Sequence, residues 1–130
     1  MVSIGTYQRV DVTDAAASLV RELTLQHGPL MFHQSGGCCD GSSPMCYPLG
    51  MFLTGPGDVL LGGLDVGLEV PVEVYMSESQ FEYWKYTHLT IDVVPGRGAG
   101  FSVEGPTGMR FLIRSRMLND AELEYFGLRR

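Results

Sequence analysis

The chain has no run of lysine or arginine, and its 9 basic residues are outnumbered by 15 acidic ones. A formal net charge of −6 repels phosphate, which argues against nucleic acid and anionic membranes as partners. No apolar stretch approaches the ~20 residues needed to cross a bilayer. The opening string Met1-Val-Ser-Ile-Gly-Thr-Tyr has neither the basic start nor the long apolar run of a secretory signal, so a cytoplasmic location is expected. Linkers, repeats and low-complexity tracts are also missing, and 130 residues suit one domain, 1–130. Cysteine is scarce, with 3 in the chain, all between residues 38 and 46. An odd number leaves at least one thiol free in a monomer. In a reducing compartment such a cluster points to metal or redox chemistry before a structural disulfide.

What is present is apolar enough to fold. Hydrophobic residues make up 45% of the chain, too many for disorder. A chain of this size buries roughly two-thirds of its unfolded surface, so neither metal nor disulfide is required for stability. Val10-Asp-Val reads as a short strand. Thr13 or Asp14 then caps a helix whose inner face takes Ala17, Val20, Leu23 and Leu25, and Gly28-Pro29 stops it. Further strands are expected at 29–32, 51–54 and 59–64. Leu68, Val70, Val72 and Val74 alternate with polar residues, predicting a half-buried strand over 68–76. Ser77 opens a short helix, with Gln80 as a capping-box partner. A strand over 89–94 follows. Phe101-Ser-Val and 109–113 then form a hairpin around Glu104-Gly-Pro-Thr-Gly, and Asn119 caps a last helix. The order predicts an α+β domain with a curved mixed or antiparallel sheet and short flanking helices.

Chemistry concentrates in His33-Gln-Ser-Gly-Gly-Cys-Cys-Asp-Gly-Ser-Ser-Pro-Met-Cys46. Thiolate and imidazole together suit zinc, iron or copper. Seven residues separate Cys38 from Cys46, enough for the chain to fold back and turn both sulfurs toward one ion. The vicinal Cys38 and Cys39 point apart in extended chain. His33 precedes the cluster, His88 opens a later strand, and Asp40 can bind or orient a ligand. The candidate metal set is therefore Cys38, Cys39, Cys46, His33, Asp40 and His88. Two alternatives stand beside it. One is thiol chemistry, a reversible disulfide or a cysteine nucleophile with His33 or His88 as base. The other is bland: buried small cysteines in a rigid turn that docks on a partner. Four aromatics between Phe81 and Tyr86 cannot all face inward on a short helix, which leaves one or two for a partner surface or homo-oligomer. Gly96-Arg-Gly-Ala-Gly lies between strands and opens no helix, so it is no nucleotide loop.

Several strings carry a family likeness. Val12-Thr-Asp-Ala-Ala, Gly36-Gly-Cys38, Val72-Glu-Val-Tyr-Met, Thr90-Ile-Asp-Val-Val and Gly98-Ala-Gly-Phe-Ser-Val-Glu-Gly-Pro106 resemble the HesB/IscA-like iron–sulfur carriers over roughly residues 10 to 107. That resemblance implies a HesB-like fold. The carriers end on a Cys-Gly-Cys pair, whereas Thr107-Gly-Met-Arg-Phe-Leu-Ile here has no cysteine. An iron–sulfur carrier would therefore need ligands from another subunit. Phe32 to Cys46 is also similar to the hallmark of the bacterial family designated domain of unknown function 779, whose members typically occur beside aldehyde dehydrogenase genes. This implies a non-enzymatic accessory protein of aldehyde or alcohol oxidation that associates with an aldehyde dehydrogenase. The alternative is a small cysteine-dependent enzyme.

Overall fold

The computed structural model describes residues 7–34, 42–50, 55–97 and 102–128. The elements run β1 (Val10–Val12), α1 (Asp14–His27), β2 (Leu30–Gln34), β3 (Met45–Pro48), β4 (Asp58–Leu64), β5 (Val72–Ser77), α2 (Glu78–Trp84), β6 (Thr87–Pro95), β7 (Met109–Met117) and α3 (Asp120–Tyr125). They form the mixed α+β architecture that the sequence predicts, as two sheets with strand orders β1-β6-β7 and β3-β2-β5-β4. Both sheets are mixed: β1 runs parallel to β6 and β2 parallel to β5, while the remaining pairs are antiparallel.

Local chemistry sets the helix ends. The Thr13 hydroxyl accepts from the Ala16 amide at 3.2 Å, filling one of the four donors a helix start leaves open. Gly28 ends α1 at φ +79°, a left-handed angle that glycine adopts without a Cβ clash. Ser77 caps α2 through the Gln80 amide at 3.4 Å. The Gln80 side chain does not return to the cap; it accepts from Trp84 Nε1 at 3.2 Å. Asn119 and Glu122 form a reciprocal capping box on α3.

One core serves both layers. Phe32, Cys46, Val74 and Met76 from the four-stranded sheet meet Leu89, Ile91, Phe111 and Ile113 from the three-stranded one, with Ala16, Val20 and Leu23 of α1. Phe32 and Phe111 meet edge to face across the layers, centroids 5.0 Å apart. Gly62 lets β4 approach β1: at φ +156° it sits in a bulge, and a Cβ there would lie 3.3 Å from Val10 Cγ2.

Three expectations are corrected, and one strand is added. Leu25 is 90% exposed, because two residues past Leu23 is about 200° around a helix; Ala16 and Leu19 complete the buried face instead. The strand expected over 68–76 begins only at Val72. Pro71 has no N–H for a ladder, and Leu68 and Val70 are left facing solvent. The segment Met45–Pro48, which has no strong alternation, is a strand. Strand β7 pairs with β6 along nine residues, and Gly105–Thr107 is a 3-10 turn, so no hairpin forms between 102–103 and β7. The strand expected over 51–54 lies outside the described residues.

Candidate functional site

Strand periodicity decides where each candidate side chain sits. In an antiparallel pair, opposed residues share a face and sequence neighbours alternate. Cys46 opposes Phe32, and both point into the shared core. His33, the next residue, therefore points out of the other side of the sheet. In the second sheet Leu89 and Ile91 face the core, so His88 points outward there. The two imidazoles and the Cys46 sulfur thus occupy three places, with the core between His33 and His88.

His33 is buried, and its Nε2–H donates to Asp58 Oδ1 at 2.7 Å. Asp58 opens β4, two strands away, and Tyr75 of β5 stands opposite His33 between them. The second Asp58 oxygen accepts from the Gly55 amide at 2.9 Å. The imidazole contact first, and that amide second, hold the Asp58 carboxyl below its usual range. Beside this pair the Tyr75 hydroxyl donates to Glu73 at 3.2 Å. A carboxylate that orients a histidine ring in this way is the outer support metal-binding histidines commonly have.

Cys46 has a different environment. It is fully buried, and burial first, then the Glu104 carboxyl, push its thiol well above its usual range. A protonated thiol is a poor ligand and a poor nucleophile. The Cys46 amide donates to Ser102 Oγ at 2.7 Å, its carbonyl accepts from the Val103 amide at 3.0 Å, and the Ser102 hydroxyl donates to Glu104 Oε1. Glu104 is fully buried, and its Oε2 has no hydrogen-bond partner among the described residues. Burial raises the Glu104 carboxyl against the pull of the Ser102 hydroxyl.

His88 donates from Nε2 to Asp11 Oδ2 at 2.9 Å. Arg116, opposite it on β7, grips Glu122 through two contacts of 2.8 and 2.9 Å, which with the Asn119 amide lower the Glu122 carboxyl to about 2. The Arg116–Glu122 pair ties α3 to β7, while His88–Asp11 joins β6 to β1. Cys38, Cys39 and Asp40 lie outside the described residues. Among the described residues no group of three or more His, Cys, Asp or Glu is placed to hold a metal ion. Asp58 and Glu104 were not singled out in the sequence. Asp58 follows Gly55-Pro-Gly, an ordinary turn context, and Glu104 sits in a similar turn, so no local signal marks either one.

The geometry defines a small α+β domain in which the ends of a cysteine-bearing connection are held side by side by β2 and β3. The chain belongs to the DUF779 family, a domain of unknown function, whose model matches residues 19–117. A comparison with curated proteins finds no match. No helix among the described residues is long and apolar enough to cross a membrane.

Proposed function

We propose that this protein is a non-enzymatic accessory of aldehyde or alcohol oxidation that binds a soft or borderline metal ion at its cysteine segment and associates with an aldehyde dehydrogenase. The observation carrying the metal reading is the buried His33–Asp58 pair, its histidine five residues before Cys38 in the chain. A thiol, a carboxylate and a braced imidazole form a donor set that suits zinc, iron or copper(I). One of Cys38 and Cys39, with Asp40 and His33, would hold the ion. Bound there, it would be carried as cargo or would keep that thiol from oxidation. Cys46 and His88 serve the fold in this reading, since one is sealed in the core and the other faces away from it. The aldehyde dehydrogenase association rests on the gene setting typical of the family.

Elemental analysis of protein purified without oxygen or chelator tests the metal claim. Near-stoichiometric zinc, iron or copper is expected. It should be lost in Cys38→Ser/Cys39→Ser, weakened about 10–100-fold in affinity in Asp58→Asn, and kept in His88→Asn. Metal-free wild type that binds none of the three on titration would end this reading. Retention of the protein by an immobilised aldehyde dehydrogenase from the same source tests the partner.

A further inference from the structure

An apolar groove of about 510 Å³ opens at the end of the four-stranded sheet, between the close of α1 and the segment entering β5. Pro29, Leu49, Leu68, Val70 and Pro71 line it. Leu49 and Val70 are 55% and 67% exposed, and neither takes part in the core. Solvating large aliphatic side chains side by side is unfavourable, and such patches commonly mark contact surfaces.

The groove is preformed. The Leu49 amide donates to the Pro29 carbonyl at 2.8 Å, which fastens one wall to the start of β2. Pro71 presses on Gly63, where an added Cβ would lie 2.9 Å from the proline ring, so the opposite wall rests on β4 backbone. Rigid walls reduce the ordering cost of binding.

Its charge is one-sided. Glu69 and Glu73 are the ionisable residues in the lining, and neither has a cationic partner among the described residues. Arg21, one turn before Thr24 of the lining, donates to the Val66 carbonyl at 2.7 Å. A second copy is a poor occupant, because a two-fold interface would set Glu69 and Glu73 against themselves in a chain already at −6.

We propose that this groove seats a partner-protein segment in which aliphatic or aromatic side chains are flanked by lysine or arginine. The aliphatic walls would take the apolar side chains, and Glu69 and Glu73 would meet the basic ones. With the accessory role above, the proposal identifies the face that meets the enzyme, and in that form it rests on that role.

The test is retention of purified full-length protein by the immobilised aldehyde dehydrogenase, with far-UV circular dichroism as a check on folding. Leu49→Glu and Val70→Glu alter exposed side chains and should leave the fold unchanged. Each should weaken binding on the order of tenfold or more, as central interface residues do. Glu69→Lys/Glu73→Lys should weaken binding and reverse its sensitivity to salt. Met117→Ala, an exposed position on the other sheet, should leave binding unchanged. Wild type that is not retained by the enzyme refutes the accessory role and, with it, this occupant. Wild-type retention that survives both groove variants refutes the groove alone. Dimerisation on concentration that Val70→Glu abolishes, read by light scattering, would assign the groove to a second copy and overturn the proposal.

Discussion

Replacing Asp58 with asparagine separates charge from shape at the His33 pair. Aspartate accepts twice here, from His33 Nε2–H at 2.7 Å on one oxygen and from the Gly55 amide at 2.9 Å on the other. An amide has one oxygen and one NH2 group. With His33 kept as the Nε2–H tautomer, in either orientation it sets its NH2 against a donor, so one of the two contacts is lost. Hydrogen bonds to a charged group contribute about 1.5–3 kcal/mol. The Asp58 side chain is 17% exposed, which places the expected loss near the lower end, about 1.5 kcal/mol, or roughly 5 °C in Tm. The pH dependence follows from the sign of the shift. Asp58 has a carboxyl lowered from its usual 3.8, so its contribution is complete above that value and fades as pH falls through the lower folded value. Urea unfolding of wild type and Asp58→Asn at pH 7 and at steps down to pH 3 measures both effects. The two curves should lie apart at pH 7 and converge in acid. A difference under about 0.5 kcal/mol at pH 7, or one that stays constant down to pH 3, would refute the charge-assisted pair.

Glu104 should behave in the opposite sense. Its carboxyl is raised above 4.5, so stability should fall as pH rises from there through the folded value, and Glu104→Gln should flatten that slope in Tm measured from pH 4 to 8. Cys46 should react with a thiol reagent only as fast as the native protein unfolds. Cys46→Ser should cost about 1–3 kcal/mol in urea unfolding through its buried hydroxyl, more than Cys46→Ala. Glu122→Gln removes a carboxylate gripped by Arg116. It should cost about 1–3 kcal/mol at pH 7, less as pH falls from 4.5 toward about 2, and should raise amide exchange in 120–125 first.

The parts of the fold legible in the sequence were those specified by local rules. Thr13, Ser77 and Asn119 are short polar side chains in front of helices, and each one caps. The strands expected at 10–12, 59–64 and 89–94, short segments rich in valine, leucine and isoleucine, are all present. Pairing over distance was harder to read. Phe101-Ser-Val looked like a hairpin arm, but the nine-residue ladder to β6 is what holds β7. Leu68 and Val70 have strand alternation without strand structure, because Pro71 breaks the ladder and an alternating pattern cannot tell a core face from a contact face. The candidate site shows the same division. His33 beside the cysteines was visible in the primary structure. That His33 turns outward while Cys46 turns inward depends on the β2–β3 register, and Asp58 reaches His33 only because β4 lies two strands away in the same sheet.

The return arm after the cysteines is tied to both layers. The Ser42 carbonyl accepts from Ile113 of β7 at 2.8 Å, and Arg110 of β7 donates to the Ser43 hydroxyl at 3.0 Å. Three residues further on, Cys46 is a rung of the other sheet. A load carried by Ser42 and Ser43 would therefore fall on both sheets at once.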